Sequence, residues 1–94
     1  MGRRRKLLER ILSGKSDTNM PFEQARALLL HLGFEERTKG KHQHKFFRPD
    51  VEELINLQED PSGGGKCKPY QVKQLREVLL KYNVEKEVWR GRGS

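Results

Sequence analysis

Residues 40–48, with the sequence GKHQHKFFR, combine the side chains that RNA chemistry requires. They include two of the three histidines in the chain, two of its four phenylalanines, and the three cations Lys41, Lys45 and Arg48. Imidazole is the side chain best suited to proton transfer near pH 7. Cations hold phosphate, and an exposed aromatic ring stacks on a base. The segment is therefore a polar half-buried strand, a metal site, or a place where RNA phosphate is bound and attacked.

The metal alternative needs more ligands than the sequence brings together. His42 and His44 are two residues apart, so they share one face of a strand, and no carboxylate lies beside them in the sequence. Cys67 is the only thiol, and His31 falls at the rim of a predicted helix. Zinc sites in proteins use three or four converging ligands. We therefore expect no metal ion and no other cofactor.

The strand period decides which side chains could meet a ligand. Residues three apart on a strand point to opposite faces, so a core position for Phe47 would place His44 on the open polar face. Phe46 and His42 would then share that outer face with His44. RNA carries its own nucleophile, the 2′-hydroxyl, so one positioned base and nearby cations suffice for cleavage without metal. An ordinary solvated strand histidine remains the alternative.

Hydrophobic periodicity and turn residues predict the elements that carry this segment. Leucine and isoleucine spacing predicts a short helix ending before Gly14 and a second helix that starts near Pro21 and is capped by Gly33. The predicted later elements are strands at 34–38, 42–48 and 52–58 and a helix from about Pro69 to Tyr82. This order predicts an α+β fold, in which helices cover one face of a three-stranded antiparallel sheet.

Composition places the chain among small basic proteins. Its 94 residues carry a net charge of +7, which favours a polyanionic partner, nucleic acid first. The single cysteine excludes an intramolecular disulfide and suits a reducing cytoplasm. No apolar run is long enough to span a membrane. We expect a basic N-terminal helix and linker at 1–18, one domain at 19–84 and a C-terminal tail at 85–94.

The glycine run at 63–65 followed by Lys66 does not make a phosphate-binding loop. That motif needs a further glycine five residues before the Gly-Lys pair and Ser or Thr after the lysine, and Asp60 and Cys67 occupy those positions. We predict a mobile connection here.

Four segments of the chain resemble the HicA family of mRNA interferases, the toxin half of a bacterial toxin–antitoxin pair. They are LLLHLGFEE at 28–36, KGKHQHKFFR at 39–48, VEELINLQ at 51–58 and GGKCKPYQVKQLREVLLKY at 64–82. The resemblance implies a small fold like the double-stranded RNA-binding domain, αβββα, here with an extra N-terminal helix. It also implies endoribonucleolytic cleavage of mRNA, and a HicB-type antitoxin that binds the toxin and covers its site.

The family's G-S-H-x-x-F signature at the second strand fits this chain in three ways. Counting forward from Gly40 places the histidine at His42, with Lys45 in place of the aromatic residue. Counting back from VEELINLQ without a gap puts Gln43 there, which would mean a weakened or inactive nuclease. One residue fewer in the turn after the strand puts His44 at the histidine and Phe47 at the aromatic position. We favour His44, and then His42.

The resulting hypothesis is a cytoplasmic, metal-independent endoribonuclease with His44 as general base or acid. RNA would be held by a set of mostly basic residues: Lys41, Gln43, Lys45, Phe46, Arg48, Lys66, Lys68 and Lys73. A non-catalytic RNA-binding module of the same fold and a helix-turn-helix DNA reader are the alternatives. The expected partners are mRNA and the antitoxin, with no membrane and no small-molecule cofactor.

Overall fold

The computed structural model describes residues 3–39, 43–62, 64–84 and 86, which form the predicted elements in the predicted order. These are α1 (Arg3–Ser13), a 3₁₀ turn (Asp17–Asn19), α2 (Phe22–His31), β1 (Glu35–Lys39), β2 (Gln43–Arg48), β3 (Val51–Leu57) and α3 (Pro69–Lys81). Strand boundaries differ from the predicted ones by one residue. The predicted C-terminal tail, 85–94, lies outside the described residues except for Lys86.

The sheet is antiparallel with strand order β1-β2-β3, which confirms the predicted α+β meander. Ile55 and Leu57 of β3 are fully buried and alternate with exposed or half-buried residues. They form one core with the apolar stripes of the helices, including Leu28 of α2 and Leu75 of α3. The period of two in β3 and the helical stripes therefore bury a single face of the sheet.

The two faces of β2 are the reverse of the prediction. Phe46, expected on the open face, is fully buried, whereas Phe47 is half-buried with the Arg37 guanidinium 4.6 Å from its ring centroid. The reason is strand register. Phe46 pairs with Ile55, and paired residues in neighbouring strands share a face. The buried residues Ile55 and Leu57 fix which face of β3 enters the core, and the pairing with Ile55 places Phe46 on that same face.

The N-terminal helix packs on the body of the protein. Leu8 and Ile11 of α1 are fully buried in the common core. Arg76 of α3 donates a hydrogen bond to the Ile11 carbonyl, 3.0 Å away, and another to the Asp17 carboxylate at 3.0 Å. α1 is thereby joined to α3 and shares one hydrophobic core with the sheet.

The segment before α3 is anchored, although the glycine run predicts a mobile connection. The amide of Cys67 donates to the Met20 carbonyl at 2.8 Å, and the amide of Phe22 donates to the Gly65 carbonyl at 2.9 Å. Gly65 has a φ of 86°, a left-handed conformation that glycine adopts without strain. These bonds hold residues 65–67 against the start of α2. Gly63 lies outside the described residues.

No helix in the described part of the chain is long and apolar enough to cross a membrane.

Candidate active site at His44

His44 lies at the rim of the covered face of the sheet, not on the open face. It lies two residues before the buried Phe46 on β2, and therefore on the same face, and it pairs with the buried Leu57 of β3. Its ring packs on Phe22, the first residue of α2, with 4.8 Å between ring centroids and 58° between the planes. The predicted open-face position of His44 is therefore wrong, because the register that buries Phe46 turns His44 to the same side. Its side chain still keeps 19% of its surface exposed.

A carboxylate from the neighbouring strand orients this imidazole. Oε2 of Glu36 lies 2.6 Å from Nδ1 of His44. Because an ionised carboxylate only accepts hydrogen bonds, the proton between them belongs to Nδ1. In the neutral ring, this tautomer leaves the lone pair on Nε2 available as a base. Among the residues that the structure describes, none forms a hydrogen bond with Nε2.

Arg26 of α2 holds Glu36 in turn. Its Nε lies 2.8 Å from Oε1 and 3.0 Å from Oε2 of Glu36, whose side chain is only 11% exposed. The other end of the guanidinium contacts the exposed Glu23 at 3.4 Å. A mostly buried carboxylate needs such a partner, because removing an unpaired charge from water is costly. Arg26 therefore neutralises the Glu36 carboxylate and holds it in the position from which it orients His44.

Sequence reasoning missed Glu36 and Arg26. The usable signal was the Glu35-Glu36 pair, which interrupts the alternation of β1. A carboxylate on the face that the helices cover must find a cation or a histidine.

A polar cleft of about 370 Å³ opens beside His44, between the sheet and the start of α3. This volume falls within the range of roughly 300–1,000 Å³ that small-ligand sites occupy. The lining residues are His44, Lys45, Asn56, Leu57, Gln58, Tyr70, Gln71 and Gln74. Gln71 is buried, and its Oε1 has no hydrogen-bond partner among the described residues. The lining of the cleft therefore includes an imidazole, a lysine and several uncharged amides.

Three predicted lysines flank the start of α3. Lys66 forms a backbone bridge with Pro21, next to the phenylalanine that His44 contacts. Lys68 is the N-cap residue of α3, and Lys73 is exposed one turn further along. The positive end of the α3 dipole adds to their attraction for an anion. That these lysines extend a basic RNA-binding surface stays a prediction.

The other predicted RNA-binding residues that the structure describes lie in different environments. Lys45 lines the cleft, but Phe46 is buried in the core, where no base can stack on it. Arg48 binds the Leu32 carbonyl at 2.9 Å and both carboxylate oxygens of Asp50, so its guanidinium is engaged within the fold. The same contact holds the pKa of Asp50 below its ordinary value. The roles predicted for Phe46 and Arg48 at RNA are therefore corrected.

Part of the predicted site lies outside the description. Lys41 and His42 are outside the described residues, so the preference for His44 over His42 as the catalytic residue stays a prediction. Gln43 is described only as the first residue of β2, paired with Lys39.

Cys67 does not contribute a nucleophile. Its thiol is 1% exposed, and burial, with a smaller effect of Glu59, raises its pKa to about 12. The reactive form of cysteine is the thiolate, which is scarce at neutral pH with such a pKa. Among the described residues, no group of three or more His, Cys, Asp or Glu side chains converges as a metal site would require.

Comparison with known proteins supplies no relative. No protein-family model, no curated protein and no solved structure matches the chain.

Proposed function

We propose that this protein is a metal-independent endoribonuclease that cleaves mRNA, with His44 as the catalytic residue. The observation that carries the proposal is the Glu36–His44 pair. Oε2 of Glu36 lies 2.6 Å from Nδ1 of His44, and the His44 ring borders the cleft. Carboxylate, imidazole and reacting hydroxyl in this order form the arrangement that activates hydroxyl nucleophiles in many enzymes. Here the hydroxyl would be the 2′-OH of RNA.

The reaction requires one base and charge neutralisation. Nε2 of His44 takes the proton of the 2′-hydroxyl while the 2′-oxygen forms a bond to the adjacent phosphorus. The bond from phosphorus to the 5′-oxygen breaks, and the imidazolium returns the proton to that oxygen. The products are a 2′,3′-cyclic phosphate and a 5′-hydroxyl end. Lys45 and the lysines at the start of α3 bind the phosphate charge.

The biological setting follows from the resemblance to the HicA family. In that setting the chain is a toxin acting in the cytoplasm, its fold is the double-stranded RNA-binding-domain type, and a HicB-type antitoxin covers the cleft. The helix–sheet order and the basic α3 start support this assignment. The departure from the G-S-H-x-x-F signature is the feature that counts against it.

The test is cleavage of a single-stranded RNA, with and without EDTA, by the wild type and by His44→Gln. We expect cyclic-phosphate ends from the wild type in EDTA, and at least about a 100-fold lower rate from the variant. The matched control is His31→Gln, which alters a half-buried histidine at the end of α2 outside the cleft. Circular dichroism checks that both variants fold. Equal rates for His44→Gln and wild type would show that His44 is not the base.

A non-catalytic RNA-binding module is the second candidate. The observation in its favour is that His44 packs on Phe22 and pairs with Glu36, as a purely structural histidine also would. This candidate predicts RNA binding without fragments. It also predicts that His44→Gln lowers the free energy of unfolding and leaves RNA affinity unchanged.

A further inference from the structure

Gln71 has a position that folding alone does not favour. It lies in the first turn of α3, is only 5% exposed, and directly precedes the buried core residue Val72. Its Oε1 is buried and has no hydrogen-bond partner among the described residues. Native proteins satisfy nearly all buried polar atoms, and an apolar side chain of the same shape would stabilise this position better. A glutamine here is explained if a ligand provides the missing donor.

The surroundings of Gln71 show what kind of ligand that is. The same cleft is lined by Gln58 and Gln74, together with Tyr70, which is 63% exposed. Amide groups both donate and accept hydrogen bonds, as the edge of a nucleobase does. An exposed aromatic ring provides a surface on which a base stacks.

Other occupants fit this lining less well. A phosphate alone would be met by several cations, and the described part of the lining contains one lysine, Lys45. An apolar ligand would need an apolar wall, and among the described lining residues Leu57 alone is aliphatic. A hard metal ion would need carboxylates, and the described lining contains no Asp or Glu.

We infer that the cleft is a nucleobase subsite, in which Gln71 accepts a hydrogen bond from an N–H group of the base next to the cleaved phosphate. That placement relative to the phosphate rests on the proposed function; binding of a base does not. The terminal amide torsion of glutamine is broad, so a rotation turns Oε1 toward a base in the cleft. The subsite gives the enzyme a base preference on one side of the scissile bond.

The test uses mononucleotides, because they contain no phosphodiester bond that the enzyme could cleave. AMP, CMP, GMP and UMP, with ribose 5-phosphate as the baseless control, are titrated into the wild-type chain and followed by NMR. We expect at least one nucleotide to shift the side-chain amide signals of Gln71 and Gln74, and to bind more tightly than ribose 5-phosphate.

The variant Gln71→Met separates this role from a structural one. It keeps the length of the side chain and removes its polar atoms, so we expect an unchanged or higher Tm and about a fivefold loss of preference among the nucleotides. Gln24→Met changes an exposed glutamine of α2 that does not line the cleft, and is the matched control. If Gln71→Met does not fold, the nucleotide titration of the wild-type chain alone tests whether the cleft binds a base.

Three results would overturn the inference: no nucleotide binds, ribose 5-phosphate binds as tightly as the nucleotides, or Gln71→Met lowers Tm while binding is unchanged. RNA cleavage in the absence of nucleotide binding would remove the subsite and keep the proposed nuclease. Base-selective binding without RNA cleavage would keep the subsite and contradict the proposed nuclease.

Discussion

Glu36 and His44 face each other across neighbouring strands, with Oε2 of the carboxylate 2.6 Å from Nδ1 of the imidazole. The contact spans two register positions, since Glu36 pairs with Phe46 and His44 pairs with Thr38. It exists because both side chains lie on the covered face of the sheet, at its rim, where solvent and the cleft still reach the ring. On the open face, where a core position for Phe47 would place His44, this partner would be missing.

The first prediction concerns Glu36. Glu36→Gln keeps the shape of the side chain and removes its negative charge, so the imidazolium that forms in the proposed mechanism would lose its partner. We expect kcat to fall by roughly 100-fold with KM little changed, because Glu36 contacts His44 and not RNA. Steady-state kinetics on a short RNA measure both constants.

The matched control for this variant is Glu23→Gln. Glu23 contacts the same arginine, but its side chain is 77% exposed, so its removal should leave both constants unchanged. A rise in KM with kcat preserved in Glu36→Gln would place Glu36 at the RNA and contradict its role in positioning His44.

The second prediction tests the face of β2. Phe46→Ala removes a fully buried ring and should lower the free energy of unfolding by about 3–5 kcal/mol. Phe47→Ala removes a half-buried ring under Arg37 and should cost about 1 kcal/mol. Urea unfolding of the two variants measures the difference. The reverse order of the two costs would restore the open face as the location of His44.

The third prediction concerns the basic residues at the start of α3. Replacing Lys68 and Lys73 with glutamine removes two cations beside the cleft, so RNA affinity should fall for every sequence alike. The slope of log affinity against log salt should decrease by about 0.7 for each RNA phosphate that the variant no longer neutralises. Lys15→Gln, an exposed lysine between α1 and the 3₁₀ turn, is the control. An unaltered slope in the double variant would exclude these lysines from the RNA interface.

The fourth prediction follows from the pKa of Cys67, which burial raises from its ordinary 9.0 to about 12. Iodoacetamide at pH 8 should label the native protein far more slowly than the protein in urea, as followed by mass spectrometry. The unfolded chain releases the thiol proton at lower pH than the folded chain. This contribution to stability is therefore complete below pH 9 and declines as the pH rises toward 12. Rapid labelling of the folded protein would contradict the burial of Cys67.

The amino-acid sequence by itself determined the order and type of the elements. The apolar stripes of α2 and α3 repeat at helical spacing, and Ile55 and Leu57 alternate as a strand requires, so each element was identified from local information. Gly33, with a φ of 89°, ends α2 as its position predicts. His44 was singled out differently: local spacing also fitted an ordinary solvated strand histidine, and the resemblance to the HicA signature led us to favour His44 over His42 and Gln43.

The tertiary structure alone decided which face of β2 enters the core. Phe46 and Phe47 are adjacent and equally apolar, so the sequence of β2 fits either orientation, and a one-residue choice inverts every side chain. Pairing of Phe46 with Ile55 makes that choice. The pairing of Glu36 with His44 depends on contacts between β1 and β2, and the burial of Gln71 depends on contacts between α3 and the rest of the fold. Local periodicity carries no information about such contacts, so only the folded chain reveals them.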